Sequence, residues 1–355
     1  MAVNVFEKDL QLIRQKVDSC PMGQNIKEPL YVWIDRVTRT AELTGYSQEF
    51  ETLSKYVDWI TKVPWGKYCK DNLDLVHIKQ VLDSHHYGVE KVKQMILDFM
   101  SVSKIKQMRN PNSIIHIPPM LFVGLQGIGK TTLARSISEA IGRPFVRIAL
   151  GALGTTLELR GSPKSESDSE PGQIIKAIIK SGVMNPVIVL DEMDKVSGEQ
   201  GKRSDMMATL LEVLDPEQNS TFRDHYLDQY IDISKVLFIC TANNLGPISS
   251  ALVDRLEVIR FNSYTDDEKE NIAKSYLLPK IMEASGLDST MLEITDDVWE
   301  SIVRPLGFDA GIRQLERNML FLGRKAARKL LENPTQKVII TPDNVKDFVD
   351  LNNVY

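Results

Sequence analysis

Cysteine is scarce in this chain: Cys20, Cys69 and Cys240 are widely separated, with no C-x-x-C pair. That pattern argues against a disulfide framework or a cysteine zinc site and fits a reducing compartment. Long apolar runs are missing as well. None approaches the roughly eighteen residues a membrane helix needs, so no membrane contact is expected. There is no excess of positive charge either: 43 Lys and Arg against 48 Asp and Glu leave a net charge of −5. Such a balance gives no broad attraction for nucleic acid, and no nucleic-acid partner is expected. The N-terminus does not read as a secretory signal, because Glu7, Lys8 and Asp9 interrupt any apolar core. A cytoplasmic globular protein is expected, and 355 residues suit two or three domains.

What the chain does have is Gly124-Leu-Gln-Gly127-Ile128-Gly129-Lys130-Thr131, a complete G-x-x-x-x-G-K-T loop. It follows the apolar run Met120–Val123 and precedes an amphipathic stretch with Leu133, Ile137, Ala140 and Ile141 on one face. Strand, glycine loop and helix in that order form the setting in which such a loop cradles phosphates. Gly124, Gly127 and Gly129 let the backbone curl so that successive N–H groups converge on phosphate oxygens. The helix start adds its positive dipole end. Ile128 and Thr132 belong to the same candidate cradle. Lys130 is the candidate for the β- and γ-phosphates, and Thr131 for a magnesium ligand. ATP with Mg2+ is the expected ligand.

Residues 1–110 read as mostly helical. Tyr31–Ile34 and Tyr56–Ile60 carry helical apolar spacing, and Pro64-Trp65-Gly66 stops the second segment. A helix is predicted over Val89–Met100, with Val92, Met95, Ile96 and Phe99 on its buried side. Asn110-Pro111-Asn112 and Pro118-Pro119 are breakers. Beyond them come five short apolar runs: Met120–Val123, Phe145–Ala149, Val187–Leu190, Val236–Cys240 and Val258–Phe261. Strands alternating with helices imply a parallel sheet covered on both faces, with ligands at the strands' carboxyl ends. Helical patterning returns at Asp266–Leu278, Asp297–Val303 and Gly311–Leu331. Lys337–Ile340 is β-prone and Pro342–Leu351 reads as a last helix. The expected organisation is a helical segment (1–112), an α/β P-loop domain (113–262) and a helical lid (263–355). Ser162–Glu170, polar and acidic, reads as an exposed loop.

Val187-Ile-Val-Leu-Asp191-Glu192 is an apolar run ending in two carboxylates. Beside a phosphate loop, Asp191 suits the magnesium shell and Glu192 suits polarising the water that attacks the γ-phosphate. The alternative is an acidic pair capping the next helix. Asn243-Asn244 ends another buried run; its amide either holds the attacking water or simply makes a turn. Arg255 either reaches the γ-phosphate of a neighbouring subunit or forms an Asp–Arg surface pair, and Arg313 is undecided on pattern alone.

With these residues assembled, the chain resembles the ATPase module of the Lon family, within the AAA+ superfamily. The similarity runs from about residue 25 onward. It is carried by Tyr56-Val-Asp-Trp59, Pro64-Trp-Gly-Lys67, Asp71-Asn-Leu-Asp-Leu75 and His86-Tyr-Gly-Val-Glu-Lys-Val-Lys93. Leu210-Leu-Glu-Val-Leu-Asp-Pro-Glu-Gln-Asn219, Asp224-His-Tyr-Leu227, Tyr264-Thr-Asp266 and Leu278-Pro-Lys280 belong to the same set. The resemblance implies an AAA+ fold, with sensor 1 at Asn243, an arginine finger acting across a subunit boundary at Arg255, and sensor 2 at Arg313. It implies that His86, Tyr87, Gly88, Tyr264 and Ile272 border the adenine. It also implies a hexameric ring acting on protein.

Two departures qualify that expectation. Family members continue into a peptidase domain with a serine–lysine dyad, so no peptidase centre is expected within these 355 residues. Between Arg160-Gly161 and Pro171-Gly172 the family calls for an aromatic–aliphatic pair that grips substrate, and Glu166 and Ser167 stand there instead. Six copies of Glu166, Asp168 and Glu170 about one axis would make the mouth anionic. The expected function is an ATP-hydrolysing, ring-forming ATPase that remodels or assembles protein partners. The alternatives are a nucleotide-binding regulatory subunit in a mixed ring with a Lon-type protease, or an ATPase fragment of an ATP-dependent serine protease.

Overall fold

The structure is a computed structural model that describes residues 2–44, 48–110, 116–166, 168–196, 200–304, 311–333 and 337–349. Three helices open the chain: α1 (Ala2–Ser19), α2 (Gln24–Thr44) and α3 (Gln48–Lys62). An extended strap leads to α4 (Leu75–His85) and α5 (Glu90–Arg109). Helix α5 runs nine residues past the predicted Met100. Val92 and Ile96 are buried on it as expected, whereas Met95 is exposed. The stretch Ser101–Arg109 hid the extension, because its Val102, Ile105 and Met108 are exposed while Ser103 is the buried residue.

Next come β1 (Met120–Val123), α6 (Lys130–Ile141), β2 (Phe145–Ala149), α7 (Thr156–Arg160), α8 (Gln173–Ser181), β3 (Val187–Asp191) and α9 (Gln200–Leu214). A short antiparallel hairpin, β4 (Phe222–Asp224) and β5 (Gln229–Ile231), precedes β6 (Leu237–Ala242), α10 (Ser250–Val253) and β7 (Glu257–Arg260). All five predicted strands form, β1 and β2 with the predicted ends and β3, β6 and β7 with ends shifted by one or two residues, in a wholly parallel sheet of order β2-β3-β6-β1-β7. Alternate residues of each strand feed opposite cores, as pleating demands. Leu121, Val123, Ile188 and Leu190 join the core shared with α1–α3 and α8–α9. Met120, Phe122, Val187 and Val189 join the core shared with α4–α6. Burial on both faces makes β1, β3 and β6 continuous apolar runs.

The remaining elements are α11 (Asp266–Ile272), a π-helical turn (Ala273–Leu277), α12 (Leu278–Ala284), β8 (Leu292–Ile294), α13 (Trp299–Val303), α14 (Arg313–Glu332), β9 (Val338–Ile340) and α15 (Val345–Phe348). They enclose a separate core of Ile281, Trp299, Leu315, Leu322 and Phe348. The last helix is shorter than predicted: it begins at Val345, after the Thr341–Asn344 turn in which Asn344 bonds the Thr341 N–H. Residues 350 and 351 of that prediction lie outside the described residues. Among the described residues no helix is long and apolar enough to cross a membrane.

The strap between α3 and α4 is bonded to the sheet domain along its length. Met184 N–H donates to Lys67 O, Asn185 pairs both its amide groups with the Cys69 backbone, and Asn72 N–H reaches Ile141 O. Arg143 meets Asp71 in a bidentate pair at 2.6 and 2.7 Å, and both side chains are almost wholly buried. A buried charge that loses its partner is left desolvated, which typically costs about 3–5 kcal/mol. Asp71→Asn should therefore lower unfolding stability by that order in a urea titration. A change below about 1 kcal/mol would show that the strap is not anchored by this pair.

Candidate nucleotide site

The strand order decides which residues meet. β6 lies between β1 and β3, so three carboxyl-end tips converge: the glycine loop after β1, Asn243 after β6, and Asp191-Glu192 at β3. Gly127 and Gly129 take φ of +83° and +88°, the left-handed region that other residues avoid. A Cβ at Gly124 would fall 2.8 Å from Phe261 O, so that position has no room for a side chain.

A cavity of about 340 Å³ opens at this junction. Of the residues singled out in the sequence, Gly127, Gly129, Lys130, Thr131, Thr132, Asp191, Glu192, Asn243 and Arg313 line it. Lys130 is buried, and its ammonium donates to Gly124 O (2.5 Å), Leu125 O (2.9 Å) and Asn243 Oδ1 (3.0 Å). Burial pulls its pKa below the ordinary lysine value, with Asp194, Asp191 and Glu192 opposing that drop. Thr131 donates to Asp191 Oδ1 at 3.2 Å. Of the two asparagines, Asn243 faces Lys130, whereas Asn244 makes the turn by accepting from Gly246 N–H.

Thr241, Arg147 and Glu316 are among the lining residues that escaped the sequence reading. Thr241, fully buried, donates to Asp191 Oδ1 and accepts from Glu192 N–H at 3.0 Å. Arg147 on β2 contacts Asp191 Oδ2 at 2.5 Å. Glu316, one turn into α14, completes the lid side. A charged residue inside an apolar β2 run was the available signal for Arg147. Glu192 sits at φ +58° and its Oε1 pairs with Lys195 at 2.7 Å.

The lid reaches the loop through backbone. Ile312 N–H donates to Gly127 O at 3.0 Å, and a Cβ at Gly311 would fall 2.5 Å from Gln126 O. Tyr264 donates to Ile128 O at 3.2 Å. His86 and Tyr264 flank Gly129, and Gly88 lies against Glu268 of α11, although none of these lines the cavity itself. Tyr87 is exposed. Ile272 packs inside the lid core, not on the cavity. Arg255 also lies off this cavity, pairing with Asp215 Oδ2 at 2.8 Å rather than with the adjacent Asp254. That guanidinium and the Glu217 N–H hold the Asp215 carboxyl below its usual range.

The donor set fits a phosphate-borne magnesium ion. Thr131 and Asp191 offer hard oxygens, and no group of three or more His, Cys, Asp or Glu that could hold a metal occurs among the described residues. Mg2+ commonly takes one or two carboxylates and fills its other positions with phosphate and water.

Residues 120–264 match the ATPase family associated with various cellular activities (AAA), and residues 283–339 match the Lon protease AAA+ ATPase lid domain. This is a Lon-type AAA+ module. It is 41% identical to a Lon protease of Elusimicrobium minutum, over 97% of this chain and 40% of that protein. Lon protease 1 of Bacillus subtilis is 38% identical over 96% of this chain and 43% of its own length. Lon protease 2 of Thermus thermophilus is 39% identical over 97% and 43% respectively. The chain thus spans about two fifths of the length of these relatives. Both matched segments contribute residues to the cavity.

His86 gives the site an acid-sensitive edge. Its Nε2 lies 3.0 Å from Ser136 Oγ, and burial, with His85 and Lys93 adding to it, pushes its pKa down to about 4. The unfolded value lies near 6.5, so the unfolded chain takes the proton first. The resulting stability is fully present above about pH 6.5 and is lost as pH falls through 4. Between pH 7 and 4.5 this group should remove about 2–3 kcal/mol of unfolding stability. His86→Gln should flatten that part of the stability–pH curve measured by urea unfolding; an unchanged slope would show that His86 titrates normally.

Proposed function

We propose that this chain binds Mg-ATP in the cavity and hydrolyses it. The observation that carries the reading is the convergence of Lys130, Thr131, Asp191, Glu192, Asn243 and Arg313 on one space. The left-handed glycines turn loop N–H groups toward the phosphates, and Lys130 exchanges its carbonyl partners for β- and γ-phosphate oxygens. Thr131 and Asp191 hold the Mg2+ that accompanies ATP, whose charge offsets that of the phosphates. Glu192 accepts the proton of the attacking water, and Asn243 Nδ2 orients that water while Oδ1 holds Lys130. Arg313, at the start of α14, senses the phosphate and transmits it to the lid through the Gly311–Gly127 contact.

The working units of this reading are residues 1–112, 113–262 and 263–355. Arg255, half exposed and away from its own cavity, acts on the site of a neighbouring copy, so the active form is a ring of like chains that remodels protein. Glu166, where the family resemblance calls for an aromatic grip, favours a second reading in which the chain joins a ring with a Lon-type protease as a regulatory subunit. Ser167 of that pair lies outside the described residues.

Purified chain with Mg-ATP should release phosphate, with turnover per chain rising with protein concentration. Glu192→Gln should cut turnover by about 10²–10⁴-fold, the usual worth of a general base, while nucleotide affinity stays within about threefold. Nucleotide binding without phosphate release at every protein concentration would overturn the hydrolytic reading. Equal turnover per chain at all concentrations would remove Arg255 from the mechanism.

A further inference from the structure

The acidic segment between α7 and α8 reads as a free loop, yet the structure ties it down. At its feet, Ser162 N–H donates to Glu170 O at 3.1 Å, and Asp224 accepts the Gly172 N–H at 2.8 Å. Gly161 takes φ +87°, and a Cβ at Gly172 would lie 2.2 Å from Leu159 O, so the two feet are fixed against each other. Above them Glu166 N–H closes a turn on Pro163 O. That turn aims Lys164 away from solvent. Its ammonium lies 4.1 Å from the Tyr56 ring centre and 5.7 Å from that of Trp33.

Both rings face that ammonium. They stand 5.5 Å apart at 53°, and each polar edge is already held: Tyr56 O–H donates to Leu227 O, and Trp33 Nε1–H donates to Glu49. Burial lowers the Lys164 pKa, with Asp228 opposing that drop. A desolvated ammonium over aromatic faces is attracted by their quadrupoles. Glu166 and Asp168 remain exposed on the same segment, and Glu170 pairs with Lys176 at 2.5 Å.

We propose that the Trp33–Tyr56 cleft is a lysine-binding site and that Lys164, its occupant, is a releasable latch docking the acidic segment onto α2 and α3. The ligand class is a primary alkylammonium carried by the chain itself. Docking presents Glu166 and Asp168 at a fixed place beside the N-terminal helices; release frees them to move about the glycine feet. This latch is independent of the ATPase reading, since none of its residues lines the nucleotide cavity.

The test is cleavage of the whole chain by a glutamate-specific protease, with products assigned to Glu166 by mass. Lys164→Met keeps the alkyl stem and removes the charge. It should raise the cleavage rate about fivefold, the ratio equivalent to about 1 kcal/mol, with an unchanged melting midpoint. Lys164→Arg, whose guanidinium also sits on aromatic faces, should stay near the parent rate. Trp33→Leu should speed cleavage, and adding it to Lys164→Met should give no further increase. A Lys164→Met rate within twofold of the parent, or an arginine variant as fast as the methionine one, would overturn the latch.

Discussion

The tip of β6 is the joint on which the site depends. Thr241 donates its hydroxyl hydrogen to Asp191 while accepting the Glu192 N–H, so one buried side chain ties the Asp191 carboxylate to the Glu192 backbone. Two residues on, Asn243 takes hold of Lys130 from the glycine loop. Because β6 pairs with β1 on one side and β3 on the other, these contacts require no unusual side-chain reach. They do require register. A shift of β6 by one residue would turn Thr241 to the opposite face and remove the buried one of the donors to Asp191. The left-handed backbone at Glu192 is held by the same hydrogen bond, so local strain at the second acid depends on a neighbouring strand.

What could be read from the residues follows this logic. Buried parallel strands are short continuous apolar runs, which made β1, β2, β3, β6 and β7 visible. The glycine loop was visible because its φ requirements restrict residue type. Neither principle tells which asparagine of a pair faces inward; strand order decides that, giving Asn243 the site and Asn244 the turn. Arg255 was ambiguous for a related reason: its partner Asp215 lies forty residues upstream, within the Leu210–Asn219 block. β4, β5 and β8 were missed because three residues carry little pattern unless, as in the Val338-Ile339-Ile340 run of β9, all are β-branched. Lys164 was missed because a polar run gives no sign that one long side chain folds back into an aromatic cleft.

Several stretches that mark the Lon resemblance are structural rather than catalytic. Asp71 belongs to a buried ion pair, Lys67 supplies a backbone acceptor to Met184, and Asp224 accepts three backbone N–H groups at the foot of the acidic segment. Burial raises the Asp224 carboxyl to about 6 despite those donors. Asp215 likewise fastens the end of α9 and the Arg255 guanidinium together. These residues position the segments that carry chemistry, and none of them lines the cavity.

Three ion pairs of the sheet domain share one asymmetry. Asp191 is 7% exposed while its partner Arg147 is 52% exposed, and Asp215 is 7% exposed while Arg255 is 41% exposed. Lys195, facing Glu192, is 48% exposed. In each pair the carboxylate is the more buried member and the cation the one with access to water. A solvated cation on a flexible stem can leave at modest cost, because water replaces its partner. A buried carboxylate cannot, since it would lose its hydrogen bonds along with its counter-charge. The acids are therefore a fixed frame, and the cations are the parts free to change partners. Arg147, Lys195 and Arg255 can each exchange a carboxylate of this chain for another anion without disturbing the sheet beneath. That division leaves the strand arrangement the same whichever partners the cations hold.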